Sequence, residues 1–165
     1  MSRVAVWAVA LAAAVASGCG GMGRYGNEPP EPVERVDAVG LWGVPPAAIN
    51  WDDIPGPDGV QVRVFLYQAE RPQPVLVKGT VELIMYPGRL HAESVTGATP
   101  LRTWTFTPQE LGTRLSKGQA GWGYFFRLGW GQEVPTTATV TIVARYTPPK
   151  GSPVYSATLV IPIPK

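Results

Sequence analysis

One short stretch of this chain combines residue types that could do chemistry. His91, the single histidine, is followed closely by Glu93 and Ser94. A zinc site needs three or four ligands, and a hydrolytic serine needs a base and a third group that orients it. No glycine-flanked nucleophile motif surrounds Ser94, and no other histidine exists to complete either site. We therefore expect a solvated loop over residues 89–100, no catalytic residue, no metal and no cofactor.

Three aspartates in a short segment form a second candidate site. Asp52, Asp53 and Asp58 could offer oxygen ligands to Ca²⁺, although the alternating acidic spacing and distal glutamate of an EF-hand loop are missing. The same segment contains Pro-Gly and Asp-Gly dipeptides. These are ordinary turn sequences, in which aspartate accepts hydrogen bonds from nearby backbone N–H groups. The pattern favours a turn over a calcium site.

Large apolar residues alternate with a second parity that is mostly glycine over residues 121–130, which is typical of a β-strand. One parity is apolar throughout, namely Trp122, Tyr124, Phe126, Leu128 and Trp130. The first interpretation is a core strand whose glycine face lets another layer approach closely. The second is an exposed platform of Trp122, Tyr124 and Trp130 on which a sugar ring would stack.

The N-terminal region contains the only cysteine. A basic start is followed by an uncharged run over residues 4–16. The run is too short to cross the roughly 30 Å hydrocarbon core of a bilayer and is typical of a secretory signal peptide. It ends in Ala16-Ser17-Gly18-Cys19, and here the chain resembles bacterial lipoproteins, whose signal ends in small residues directly before an invariant cysteine. The chain departs from the usual motif at Ala16, where leucine is commonest.

This resemblance implies that residues 1–18 are a cleaved signal peptide and that Cys19 carries the lipid. Two or three acyl chains suffice for stable anchoring, where one is marginal. Gly20, in place of the aspartate that favours retention in the inner membrane, implies the outer membrane. The alternative is an ordinary secreted protein with a free thiol at Cys19, which is unfavourable in an oxidising compartment. Residues 19–40, rich in glycine, proline and glutamate, predict a flexible tether of about 25 Å r.m.s. length before a domain at 41–165.

The elements that must position these residues are mostly strands. Alternation of apolar and polar residues with period two predicts strands at 47–51, 60–67, 75–86, 102–106, 121–130, 136–146 and 154–163. We expect the two long strands at 60–67 and 75–86 to form a pair joined by a proline-rich turn, and the last two strands to form a hairpin. Thr107-Pro108-Gln109-Glu110 is a capping box, which predicts one short helix near 108–116 with Leu111 and Leu115 facing the sheet.

These elements predict an all-β fold, a two-sheet sandwich of about seven strands with one short crossing helix. The plan resembles an immunoglobulin-like or transthyretin-like sandwich, without the Cys…Trp…Cys signature of true immunoglobulin domains. A chain of 165 residues is long enough for one such domain with its own core, and its 19 glycines and 18 prolines are typical of many turns.

Composition also limits the function. A formal net charge of +2 without any cluster of lysine and arginine gives no electrostatic footprint for nucleic acid. We therefore expect a non-enzymatic protein of the cell envelope, anchored in the membrane by its lipid and facing the periplasm or the cell surface. Its sandwich would act as a structural or protein-binding module. Two alternatives remain. The first is a carbohydrate- or cell-wall-binding module that uses the 122–130 strand. The second follows from a similarity in overall plan to the outer-membrane lipoprotein that anchors type VI secretion machinery.

Overall fold

The computed structural model describes residues 28–164, so the predicted signal peptide, Cys19 and the predicted tether up to residue 27 lie outside it. Nine strands and two short helices follow one another in the described chain. The strands are β1 Ala38–Ile49, β2 Gly59–Tyr67, β3 Thr80–Pro87, β4 Arg102–Phe106, β5 Leu115–Gly118, β6 Gly121–Gly129, β7 Thr139–Thr147, β8 Val154–Tyr155 and β9 Leu159–Pro162. The helices are α1 Ala92–Val95 and α2 Pro108–Arg114.

The strands form two antiparallel sheets. The first sheet has the order β1-β2-β6-β5, and the second has the order β4-β3-β7-β8, with β9 also pairing with β7. The inner faces enclose one apolar core in which Val62, Leu83, Phe126 and Tyr146 are fully buried. The expectation of an all-β two-sheet sandwich is confirmed. The described chain has nine strands instead of about seven, because β5 was not predicted and the last predicted strand is divided into β8 and β9.

The strand order is that of an immunoglobulin-like sandwich. When the strands are lettered along the chain, β1 to β4 become A, B, C and C′, β5 to β7 become D, E and F, and the broken last strand becomes G. The first sheet then reads A-B-E-D and the second reads C′-C-F-G. This is the immunoglobulin arrangement of A-B-E-D facing C-F-G, with an added C′ edge strand.

The two long strands β2 and β3 do not pair with each other, contrary to the sequence-based expectation. They lie in opposite sheets, and the connection between them crosses the core with Val75, Leu76 and Val77 buried. Both strands have one apolar face because both face the same core, from opposite sides. Alternation shows that a strand has an inner face, but it does not show which sheet the strand joins.

The N-terminal boundary of the domain lies earlier than the predicted residue 41. Strand β1 begins at Ala38 and runs for 12 residues, with an irregularity between Gly43 and Ala48. Ahead of it, Val36 is 4% exposed, and Val33 forms a parallel bridge to Val77. The predicted tether over 19–40 is therefore wrong at its C-terminal end, where residues 33–40 belong to the sandwich.

The predicted capping box is present at the start of α2. The Thr107 hydroxyl accepts a hydrogen bond from the Glu110 N–H, and the Glu110 carboxylate accepts one from the Thr107 N–H at 2.8 Å. These bonds satisfy backbone donors that a helix start leaves free. The bond from the Thr107 N–H to the Glu110 carboxylate is also the main cause of the lowered pKa of Glu110. The helix ends at Arg114 instead of Ser116 because the chain continues directly as β5. Leu111 is buried, so α2 closes one side of the sandwich.

The C-terminal hairpin is confirmed, but its return strand is broken. Strand β8 pairs with β7 at Arg145 and Tyr146, and β9 pairs with β7 at residues 139–142. Between them the Ser156 hydroxyl accepts a hydrogen bond from the Ala144 N–H at 2.9 Å. The break changes the parity, so Tyr155 points outward, whereas Ile161 is buried as expected.

Candidate binding face on the first sheet

The sugar-binding platform predicted from Trp122, Tyr124 and Trp130 is not exposed. Tyr124 is 3% exposed and Trp130 is 1% exposed, while Trp122 is half-buried beside Lys117. The polar atoms of the two buried rings have internal partners, since the Tyr124 hydroxyl accepts from the Val77 N–H at 3.0 Å and the Trp130 indole N–H donates to the Pro57 carbonyl at 2.6 Å. This parity of β6 is the core parity, and the platform interpretation of these three residues is wrong.

The aspartates of the β1–β2 connection form a turn. The Asp58 carboxylate accepts a hydrogen bond from the Trp51 N–H at 2.7 Å, and the Asp52 carboxylate accepts one from the Ile54 N–H at 2.8 Å. Within residues 28–164 no three carboxylate, histidine or cysteine side chains, Asp53 included, converge on a point that could hold a metal ion. These hydrogen bonds agree with the turn that the sequence favoured.

His91 is exposed at the start of α1, with no side-chain hydrogen bond to the helix end. The sequence had suggested a solvated loop, but part of the loop is packed against the protein. Leu90, Val95 and Ala98 pack on the outer face of the second sheet, over Ile84, Tyr86 and Val143. This segment is a cover for the second sheet and brings no reactive groups together around the histidine.

The outer face of the second sheet is therefore occupied. Next to the cover, the Arg145 guanidinium donates to the Glu82 carboxylate, and the two form an ion pair across β3 and β7. This hydrogen bond is the main cause of the raised pKa of Arg145. Apolar cover and a paired charge occupy the middle of this face, whereas Tyr155 beside Arg145 is 52% exposed.

The outer face of the first sheet has no such cover around Trp42 and Arg63 among the described residues, although Trp51 lies over its far end, and we call it the open face. It consists of the side chains that alternate with the core parity on the four strands. Its larger members are Trp42 on β1, Gln61, Arg63, Phe65 and Tyr67 on β2, Ser116 on β5, and Phe125 and Arg127 on β6. Trp42 is 53% exposed, which is unusual for so large an apolar side chain.

Glycines let the aromatic rings of the open face lie directly on the sheet. A Cβ atom at Gly123 would lie 2.7 Å from the ring of Phe65, so only glycine leaves room for that ring. Phe65 is thereby buried to 1% exposure on an otherwise open surface. Trp42 stands against Phe65 with ring centroids 5.2 Å apart and an angle of 62° between the planes. Aromatic cover of strand glycines also stabilises the sheet.

Arg63 lies across the middle of the open face. Its guanidinium carbon is 6.0 Å from the centroid of the Phe125 ring, and its Nη1 reaches over Gly118 on the edge strand. The Nε atom is buried and has no hydrogen-bond partner in the described chain. No carboxylate of residues 28–164 lies within ion-pair distance of Arg63. The centre of the open face is thus a half-buried cation framed by aromatic rings.

A second aromatic group lies at the far end of the same sheet. The Trp51 ring covers Gly59 and Gly129, which are paired across β2 and β6. Gln61 lies on β2 between this end and Arg63, and its side-chain amide donates to the Pro46 carbonyl at 2.9 Å. The open face therefore has two parts, one around Trp51 and one around Arg63 and Trp42.

A shallow groove of about 740 Å³ lies elsewhere, between residues 100–103 and 131–133. Arg102 in this groove already pairs with Glu133 at 3.5 Å and donates to the Trp130 carbonyl. Its cation is satisfied, and the groove holds no nucleophile with a neighbouring base. It is a weaker candidate than the open face.

Sequence reasoning did not select Trp42, Arg63 or Phe125. The signal that could have found them was the glycine parity of β6, because a strand face of glycines next to aromatic neighbours invites a ring to cover it. That parity was interpreted as room for another layer, and the layer is formed by side chains of the sheet itself.

Comparison with other proteins gives no match, whether to a family model, to a curated protein or to a solved structure. Neither helix in the described part of the chain is long and apolar enough to span a bilayer.

Proposed function

We propose that this protein is a lipid-anchored protein of the cell envelope whose sandwich is a protein-interaction module that binds its partner through the open face. The anchor is supported by the small residues before Cys19 that follow an uncharged run. The observation that carries the binding role is the exposure of Trp42 beside the half-buried Arg63, on the part of the sheet face over which no described helix or loop packs.

The residue types of the open face match those of binding hot spots. Tryptophan, tyrosine and arginine contribute most of the affinity in many protein interfaces, especially where a ring of neighbours excludes water. Trp42 and Arg63 are surrounded by Phe65, Phe125 and Tyr67, which are buried or half-buried. A partner that covered Trp42 would bury a large apolar area at little cost in side-chain entropy.

The open face suits a protein partner better than a sugar chain. A row of sugar rings stacks best on aromatic rings whose exposed faces are parallel, whereas Trp42 and Phe65 meet at 62° and Phe65 is covered. The surface is also the face of a sheet, whereas small-ligand sites are usually concave. Protein interfaces, in contrast, are commonly formed by broad surfaces of this kind.

Site-specific photocross-linking in the intact envelope tests this proposal. A photoreactive phenylalanine analogue replaces Phe125, which it resembles in size and which lies half-buried on the open face. We expect a discrete cross-linked product that disappears when Trp42→Ala is added, because the partner then loses its main apolar contact.

The matched control carries the same analogue at Thr105, an exposed position on the outer face of the second sheet. It should give no such product. Equal products at both positions, or none at Phe125, would rule out the open face as the binding surface.

A further inference from the structure

We propose that the partner surface is acidic, with a carboxylate of the partner protein placed against Arg63. This inference rests on the proposed function and adds the chemistry of the partner. It follows from the charges of the first sheet, the geometry around Arg63 and the absence of an internal counter-ion among the described residues.

The four strands of the first sheet contain basic residues and no acidic ones. Arg63, Lys117 and Arg127 are their charged members, and neither aspartate nor glutamate occurs in any of these strands. Arg63 and Arg127 both project to the open face. A surface with charges of one sign favours a partner of the opposite sign and disfavours a basic one.

The second sheet shows that this charge pattern is not general to the molecule. There Arg145 pairs with Glu82, and Arg102 pairs with Glu133 from the neighbouring loop. On the first sheet, Arg63 has an aromatic ring instead of a carboxylate as its partner. The protein thus neutralises its half-buried arginines on one sheet and leaves the central arginine of the other without a counter-ion from residues 28–164.

Phe125 lies beside Arg63 and leaves its charge available for a carboxylate. The guanidinium carbon is 6.0 Å from the centroid of the Phe125 ring, and the N–H donors of a guanidinium can bind a carboxylate side by side. Aromatic neighbours also lower the local exposure to water, which strengthens an ion pair once it forms. Trp42 lies on the strand next to Arg63, directly opposite it in register. The fitting partner segment therefore carries an aspartate or glutamate next to an apolar side chain.

Peptide selection against the full-length chain, purified in detergent, tests the inference. A random peptide library displayed on phage is selected on the wild-type protein, and peptides that still bind Trp42→Ala are discarded. We expect the remaining sequences to contain an acidic residue beside an aromatic or aliphatic one. A synthetic peptide of this kind should lose about tenfold or more in affinity when its acid is changed to the amide, and the same when Arg63→Gln replaces the wild type.

The two changes together should weaken binding no more than either alone, because both remove the same ion pair. Arg63→Lys, which keeps the charge, should restore part of the affinity and its sensitivity to salt. Arg114→Gln is the matched control, since Arg114 also stacks on an aromatic ring, Phe106 at 5.7 Å, but lies on α2. It should leave the affinity unchanged.

Two results would overturn the inference. Peptides that require Trp42 but bind Arg63→Gln as tightly as the wild type would show a neutral partner surface, and the open face would remain the binding site. If the selection yields no peptide whose binding depends on Trp42, the acidic partner is contradicted as well. The cross-linking experiment then tests independently whether the open face binds a partner.

Discussion

The ring of Phe126 on β6 lies 4.5 Å, centroid to centroid, from the ring of Phe106 on β4, with an angle of 44° between the planes. One ring belongs to the first sheet and the other to the edge strand of the second, so this contact joins the two sheets across the core. Phe126 has no exposed surface.

Replacing Phe126 with alanine should lower the free energy of unfolding by about 3 to 5 kcal/mol, because apolar surface is lost and a cavity remains. That is a large part of the stability of a domain of this size. Equilibrium unfolding in urea measures the difference. A change below about 0.5 kcal/mol, typical of surface positions, would contradict the burial of this parity.

Gly123→Ala should destabilise the protein by about 1 to 3 kcal/mol, because the new Cβ would lie 2.7 Å from the Phe65 ring and 2.9 Å from the Val64 carbonyl oxygen. Gly112→Ala on α2 is the matched control, since nothing lies within 4 Å of a Cβ there. That change should raise stability by roughly 0.5 to 1 kcal/mol through helix propensity. Equal effects of the two substitutions in urea unfolding would show that Phe65 does not rest on Gly123.

The described domain should need the residues ahead of the predicted boundary. A chain that starts at Glu28 should unfold cooperatively, whereas one that starts at Leu41 loses Val36 and Val39, both buried, and the first residues of β1. Burying a valine contributes about 1.5 to 3 kcal/mol, so the shorter chain should be strongly destabilised or unfolded. Thermal melts followed by circular dichroism compare the two. Identical melts would place the boundary at residue 41 after all.

Stability should fall at alkaline pH. Burial raises the pKa of Tyr124 and of Tyr146 above the ordinary value of 10.0. The unfolded chain therefore releases these protons at lower pH than the folded protein does, and the stabilisation that is complete below about pH 10 declines as the pH rises further. Urea unfolding between about pH 9 and pH 11 measures this slope. Tyr124→Phe should make it shallower, and an unchanged slope would contradict the burial of the Tyr124 hydroxyl.

Cys19→Ala should release the protein from membranes, because the proposed lipid is the anchor on which the envelope location depends. Fractionation of cells, with a high-salt wash of the membrane pellet, measures the effect. Met22→Ala, which changes a nearby residue but keeps the cysteine, should remain in the pellet. Retention of the Cys19→Ala protein after the wash would exclude a lipid on this residue as the anchor.

Local signals in the sequence were enough to determine several elements of the local structure. The capping box at Thr107 and Glu110 specified the start of α2 to the residue, because both of its hydrogen bonds form within one turn. The alternation around Phe126 likewise indicated a strand, because side chains on a strand change sides at every residue. Even the fold class followed from such signals, since strands with one apolar face must cover one another.

Only the tertiary structure decided which strands are neighbours and which face stays open. Strands β2 and β3 have the same pattern in opposite sheets, because a core between two sheets demands an inner face from both. The break before β9 turned Tyr155 outward, which alternation alone could not foresee. Arg63 meets Phe125 and Gly118 through pairings between strands distant in the chain, so no local pattern contained the open face. It exists because α1 and its loop cover the second sheet, whereas the described chain covers the first sheet only towards its Trp51 end.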